Sequence, residues 1–455
     1  MSNQIYSFTN LKRLKPSLPS TGLHRYDIQQ PESSGRIHLR VDPDGSGVLI
    51  VNASRILYLN QTATFMVYSI LEEVPTQKIL AKLKKIYAAP AHQLRADLAS
   101  ISMQLAELVK PNGLCPIHDL ELDIAPPFQS KPSAPYRMDL AVTYRCNNDC
   151  YHCYNERPRD FPELPTESWQ RIIDRIWDIG IPHVVFTGGE PTLRTDLPEL
   201  IRYAETKGLV TGLNTNGRKL SNQDYLSNLI SNGLDHAQIT LESHNPDIHD
   251  YMVHSRGAWN QTVQGIRNAL ASNLYVMTNT TLLVNNYSTL SETLDFLADL
   301  GVPTIGLNAL IYSGKGRTVN TGLQETELFS LLKMAQEKTE LNNQRLIWYT
   351  PTHYCNFDPM QLQLGIKGCT AALYNMCIEP DGSVIPCQSY YQQMGNILVD
   401  NWNAIWNHDL ALNLRNRHYL PQKCQPCSLR MECGGGCPLS EVELPIGVDF
   451  GHGLT

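Results

Sequence analysis

Residues 136–153 read Tyr136-Arg-Met-Asp-Leu-Ala-Val-Thr-Tyr144-Arg-Cys146-Asn-Asn-Asp-Cys150-Tyr-His-Cys153. The run from Met138 to Tyr144 has the length and composition of a buried strand. It leads directly into three cysteines at spacings of four and three, with no fourth close behind. Three thiolates so placed suit three irons of a cubane, whose remaining iron stays open to a small molecule. The competing reading is a zinc site with His152 as fourth ligand, although adjacent His and Cys make awkward tetrahedral partners.

Working outward, the next 160 residues or so repeat one unit. Helical stretches (167–180, 196–208, 223–233, 259–273, 289–301) alternate with apolar runs at 183–189, 209–217, 236–243, 275–284 and 304–310. Glycines at 180, 208, 233 and 301 sit where helices end. Six strands alternating with helices predict an α/β parallel sheet. No glycine fingerprint follows the first strand, which favours a barrel over a dinucleotide fold. Six units predict a partial (β/α)6 barrel, and the cysteine loop then lies on its C-terminal, functional face.

The landmarks agree with a known family. Cys146-Asn-Asn-Asp-Cys150-Tyr-His-Cys153 resembles the CxxxCxΦC signature of the radical S-adenosylmethionine (SAM) superfamily, with His152 at the aromatic position. Gly188-Gly189-Glu190-Pro191 closes the second barrel strand, where that family carries its GGEP motif. The resemblance implies that this motif holds the methionyl amine of SAM, with Glu190 offering negative charge to the ammonium. Thr240, Glu242 and Arg256 match the family's further SAM contacts; for Arg256 a solvated surface position is the competing reading. It also implies the chemistry: the reduced cluster on Cys146, Cys150 and Cys153 cleaves SAM to a 5′-deoxyadenosyl radical, which takes a hydrogen atom from the substrate. A flavodoxin or ferredoxin would supply the electron.

The C-terminal cysteines extend the resemblance. Cys369, Cys377, Gly382 and Cys387 precede Cys424-x2-Cys427-x5-Cys433-x3-Cys437. Asp381-Gly382 is a hairpin turn that returns Cys387 towards Cys377. The whole resembles the SPASM domain of peptide-modifying radical SAM enzymes. That resemblance implies one auxiliary iron–sulfur cluster on Cys369, Cys377, Cys387 and Cys437, and a second on Cys424, Cys427 and Cys433. The family's last cysteine is missing, so Glu441, Glu443, Asp449, His452 or Cys355 completes the second set, or one iron is open. A pair of zinc sites is the alternative. Cys115 is expected to be a buried small hydrophobe.

The N-terminal third reads differently. Residues 1–35 are polar and expected to be a flexible arm. Residues 36–112 predict strands, with a DPDGSG turn, followed by three helices: a winged-helix-like module, ended by a Pro-rich linker over 113–135. This order looks like the peptide-recognition element of maturases acting on ribosomally made peptides, which bind an extended leader as an added strand. The competing reading is a dimerisation or stability domain. The remaining boundaries are a barrel over 136–330, a connector over 331–368 and the SPASM domain over 369–455. The whole looks closest to maturases of Nif11-class precursors.

Composition narrows the alternatives. Of 455 residues, 42% are hydrophobic, enough for several cores, and a net charge of −7 lacks the basic stripe that nucleic acid demands. No run is long and apolar enough for a membrane span and no secretory signal is read, so the chain is expected in the cytoplasm, where clustered thiols mean metal rather than disulfides. A sulfatase maturase would carry an acid directly after Cys387, where Gln388 stands. A haem-pathway enzyme, and a zinc- or iron–sulfur-scaffolded binding or electron-transfer protein, are the other rivals.

Overall fold

The computed structural model describes residues 19–30, 33–51, 55–86, 90–108 and 132–440. Two compact units emerge, Met1–Ser133 with Trp177–Pro182, and Ala134–Ile176 with His183–Thr455. Cys115 and most of the linker lie outside the described residues.

The first unit is a four-stranded antiparallel sheet in the order β1 (Gly22–Gln30), β2 (Ser33–Val41), β3 (Gly47–Val51), β4 (Arg55–Leu59). The DPDGSG stretch makes the β2–β3 turn: Asp42 N–H donates to the Ser46 carbonyl at 2.8 Å, and Asp44 accepts from Ser46 N–H at 2.9 Å. Three helices follow, α1 (Gln61–Leu71), α2 (Thr76–Ile86) and α3 (Ala91–Leu108). Asn60 starts α1 by accepting from Ala63 N–H, filling an otherwise unpaired donor. Ile37, Leu39, Leu49 and Val51 pack on Val67 and Leu71 of α1, while Phe65 and Met66 turn to Ile79 and Leu83 of α2.

One expectation fails here. Residues 22–30 belong to no flexible arm; they pair along their whole length with β2, Gly22 opposite Val41 and Gln30 opposite Ser33. The strand buries Leu23, Tyr26 and Ile28 among exposed polar residues, and so sparse an apolar pattern reads as a tail.

The second unit is built on one ten-stranded sheet. Its parallel part runs through β5 (Arg137–Thr143), β6 (His183–Gly188), β7 (Val210–Thr215), β8 (His236–Thr240), β9 (Tyr275–Thr281), β10 (Thr304–Asn308) and β11 (Arg345–Trp348), each paired to the next. The intervening helices are α4 (Thr166–Ile179), α5 (Leu197–Lys207), α6 (Gln223–Ser231), α7 (Pro246–Met252), α8 (Ala258–Leu270), α9 (Leu290–Asp299) and α10 (Glu325–Leu341). This is the partial barrel, with seven parallel strands rather than six. The seventh lies in the stretch expected to be a connector, where four residues after α10 were too short to show a period. On the other side of β5 comes β12 (Asn375–Ile378), parallel to it, then antiparallel β13 (Ser383–Ile385) and β14 (Gly395–Asn396). The Cys-rich region thus shares the barrel's own sheet.

At the N-terminal ends of the strands, His183 of β6 and His236 of β8 meet Nε2 to Nε2 at 2.9 Å, both buried. Gly212 of β7 leaves the space between them, since a Cβ there would collide with the His236 ring. Burial pushes the His236 pKa down to about 3, helped by the charge of Arg137. A folded pKa below the unfolded value of about 6.5 means that the stabilisation is complete above that pH and is lost as the pH falls through it. We expect the melting temperature to fall between pH 7 and pH 5, as stability drops by up to about 1.4 kcal/mol per pH unit below 6.5. In H236Q the slope should flatten; a wild-type melting temperature constant over that range would contradict this.

Candidate functional site

The loop after β5 carries Cys146, Cys150 and Cys153, all half-buried. It has no regular structure and is held from several sides. Asp149 and Tyr151 N–H donate to the Val253 and Met252 carbonyls at the end of α7, at 3.0 and 3.1 Å. Arg159 donates to the Cys146 carbonyl at 2.7 Å, and Arg218 to that of Asn147 at 2.6 Å. Lys315 N–H reaches the Cys153 carbonyl at 2.9 Å, and Asn148 N–H points at the Cys146 sulfur at 3.4 Å. Burial pushes the Cys146 thiol up to about 11, with Glu190 and Cys153 adding to it, and lifts Cys150 and Cys153 as well. Three thiols that resist ionising beside one another become thiolates only around a cationic core, which is what an iron cluster provides.

The zinc reading fares worse. His152 is turned to Glu242, Nε2 to Oε1 at 3.0 Å. A polynuclear cluster spans a wider set of thiols than one tetrahedral ion does.

Gly188 and Gly189 have a reason the sequence did not disclose. A Cβ on Gly188, whose φ is 127°, would run into the Thr143 carbonyl, and one on Gly189 would sit 2.6 Å from the Tyr144 carbonyl. The glycines let the end of β6 lie against the root of the cysteine loop, where Gly189 and Glu190 N–H donate to the Thr143 and Arg145 carbonyls at 2.7 and 2.8 Å. Pro191 then opens a short 3-10 turn.

Glu190 follows them. Its carboxylate is buried and accepts from Thr192 N–H (3.1 Å), Thr192 Oγ1 (2.6 Å), Thr215 Oγ1 (2.7 Å) and Asn216 N–H (2.8 Å). It ties the ends of β6 and β7 together. Burial outweighs those bonds and holds its carboxyl above the usual range.

Glu242 does come to the loop, through His152, and its Oε2 accepts from Thr281 N–H at 2.9 Å. His152 Nδ1 is buried with no partner in the protein, a polar atom left for a bound molecule. Thr240 ends β8, half-buried. Arg256 is exposed in the turn before α8 and makes no hydrogen bond to the loop. Arg218, like Arg159, does make one, and also donates to Asn148 Oδ1 and Ser255 Oγ at 2.7 and 3.0 Å. Its position just after β7, on the face that carries the cysteine loop, was the available signal.

The second cysteine group lies in two stretches of the chain. Asp381-Gly382 turns β12 into β13, with Cys377 opposite Ile385. Cys369 and Cys377 are buried. The charge of Cys387 acts on Cys377, that of Cys369 on Cys387, and those of Cys369 and Cys387 on Cys437. Burial, with Cys369, pushes the Cys387 thiol up to about 12. Beside them the buried Arg417 donates to the Cys369 carbonyl at 2.8 Å. Cys424, Cys427 and Cys433 follow in a separate stretch, with Cys427 exposed.

An ion pair, buried at its carboxylate and half-buried at its guanidinium, joins the two groups. Arg157, four residues after Cys153, forks onto Glu379, two after Cys377, at 2.7 and 2.9 Å. Tyr144 OH donates to the same carboxylate at 3.2 Å, and the guanidinium lies between the Phe161 and Tyr391 rings. Removing Arg157 strands the buried Glu379 carboxylate away from water, at a cost of up to about 3–5 kcal/mol. R157A should therefore lower the melting temperature sharply, while R157M/E379L, which removes both charges, should recover much of the loss. Equal stability of R157A and wild type would refute the clamp.

Known proteins match this arrangement. A model of the radical SAM superfamily matches residues 140–307, and one of the SPASM iron–sulfur cluster-binding domain matches residues 369–428. Streptococcus suis SuiB, solved bound to its precursor peptide SuiA, aligns with a TM-score of 0.65 at 16% identity, over 88% of this chain and 94% of its own. SuiB bound to S-adenosylmethionine aligns equally well, at 17% identity over 89% and 94%. The protein anSMEcpe with bound AdoMet aligns with a TM-score of 0.55 at 18% identity, over 68% of this chain and 93% of its own. A β/α barrel bearing the Cys146/Cys150/Cys153 motif for a SAM-binding [4Fe–4S] cluster, with a region for auxiliary iron–sulfur beyond it, makes this chain a radical SAM enzyme with a SPASM domain.

Proposed function

We propose that the enzyme modifies a ribosomally made precursor peptide, whose leader is held by the N-terminal sheet. The observation that carries this reading is the extent of the two likenesses. The match to SuiB covers 88% of the chain and so enters the N-terminal unit. The match to anSMEcpe covers 68%, and the 32% it omits is about the size of Met1–Ser133. The omitted share fits a relative without the N-terminal module, while SuiB, whose match extends further, was solved on its precursor. Strands β1 and β4 form the two edges of that sheet, with no further strand beside either among the described residues. An extended peptide adds to such an edge through backbone hydrogen bonds, which requires little sequence specificity from the host.

When bound, the cluster and SAM supply one-electron cleavage of a carbon–sulfur bond and thereby hydrogen-atom abstraction. The chain's own residues hold and shield that centre. Cys146, Cys150 and Cys153 supply the thiolates. The backbone at Gly188-Gly189, fixed by Glu190 and Pro191, presents a strand end to the methionyl part of SAM, with Thr240 and the Glu242–His152 pair beyond it. Cys369, Cys377, Cys387 and Cys437 hold an auxiliary cluster beside Arg417, whose charge favours the anionic site. Gln388 follows Cys387 where a sulfatase maturase would carry an acid; an amide does not take up a proton, which disfavours that activity. A small flavodoxin or ferredoxin is the reductant.

Two measurements test this. Anaerobically reconstituted protein incubated with SAM and dithionite should release 5′-deoxyadenosine, and the triple variant C146A/C150A/C153A should fall to background. Separately, the chain lacking Met1–Ser133 should bind a labelled peptide encoded beside this gene at least about tenfold more weakly, about 1.4 kcal/mol. It should still cleave SAM without substrate. Unchanged peptide affinity would remove the leader-binding role and leave the radical chemistry standing.

A further inference from the structure

The second auxiliary site has three cysteines where a closed cluster needs four, and the structure offers a fourth from an unexpected direction. The short 3-10 turn Gln422–Cys424 delivers the first thiol. Cys427 N–H then donates to the Cys424 carbonyl at 3.2 Å, and Cys433 N–H to that of Leu429 at 2.9 Å, winding the chain through a last short helix, Arg430–Cys433. Against this coil lies the loop after β11. Tyr354 N–H points at the Cys433 sulfur at 3.4 Å, and that thiol donates to the Thr352 carbonyl at 3.7 Å. Cys355 is the next residue after Tyr354, whose backbone reaches that sulfur.

The loop is fixed in this position. Glu325, at the start of α10, accepts from His353 N–H at 3.0 Å and meets the His353 ring at 3.0 Å. It also accepts from Asn356 Nδ2 at 2.9 Å, so both neighbours of the Tyr354-Cys355 pair are tied to one carboxylate. Asn356 and Phe357 N–H return to the His353 carbonyl at 2.8 and 2.9 Å, closing a tight turn around Cys355. On the other side, Tyr354 OH accepts from Lys367 N–H at 2.8 Å. Four cysteines, one of them on a braced turn from a different part of the chain, are what a fully ligated cubane requires.

We propose that Cys355 is the fourth thiolate of the second auxiliary cluster, completing the set Cys424, Cys427 and Cys433. The ligand therefore comes from upstream of the SPASM region. This rests on the reading that the second set holds a cluster at all. With every iron taken by sulfur, the cluster passes electrons and offers no open iron to a substrate group. Because Cys355 and Cys427 are both exposed, it does so at the protein surface.

The test uses the full-length protein, reconstituted anaerobically, with iron and acid-labile sulfide counted per chain and the dithionite-reduced EPR spectrum recorded. Three cubanes hold about twelve irons. C355A and C424A should each lose about a third of the iron and the same EPR component, and C355A/C424A should lose no more than either. A chain ending at residue 440 should keep its iron. Maleimide should label Cys355 in chelator-stripped protein several-fold more than in holoprotein. If C424A loses a third of the iron while C355A loses none and Cys355 labels equally in both forms, the cluster stands and the ligand assignment falls. If C424A loses none, the cluster itself falls, and the proposal with it. Loss of the same component on removing residues 441–455 alone also overturns Cys355.

Discussion

Strand β12 hydrogen-bonds along β5, and most of the functional architecture hangs on that pairing. β5 delivers the cysteine loop, and its other neighbour, β6, ends in the glycines that press against that loop. In register with Asp139 on β5 stands Cys377 of β12. One strand therefore positions the SAM-cluster motif, the glycine turn and an auxiliary-site cysteine together. The Arg157–Glu379 fork reinforces it where the two Cys-rich segments leave the sheet. A paired buried charge adds little net stability, but its geometry is exacting, because either partner alone is costly. The pair works as a registration device, fixing how the SPASM hairpin sits beside the loop.

Charge is handled differently around the two cysteine groups. The loop after β5 is ringed by Arg159, Arg218 and Lys315, each contacting its backbone rather than its sulfurs. Nearby acids are tied up: Glu190 by four donors, Glu242 by His152 and Thr281. A carboxylate already satisfied by neutral donors competes weakly for cations. Arg159 and Lys315, by contrast, both pair with Asp149 of the same loop, at 2.8 and 2.6 Å.

How much of this could be read from the chain alone depended on the range of the interaction. The barrel announced itself through local period, and the two cysteine patterns through spacing, because both are written within a few residues. Strand β1 was missed because its three buried side chains stand among polar ones, and β11 because four residues show no repeat. The roles of Arg157 and Glu379 were unreadable for a different reason: they lie 222 residues apart, and nothing local marks either. Glu190 adds a second long-range case. The motif was recognised correctly, but whether its carboxylate faces a ligand or the protein is decided by Thr215 and Asn216, on the next strand.

That the SPASM hairpin forms part of the barrel's sheet also sets an order of assembly. β5 emerges early during synthesis, yet the strand that covers its free edge begins only at Asn375. Until then the nascent chain carries an uncapped, apolar strand edge of the kind that recruits other chains into aggregates. Pairing across so long a stretch closes a large loop and is slow on topological grounds. The barrel's sheet therefore reaches its final form only after β12, more than two hundred residues beyond β5, has been made.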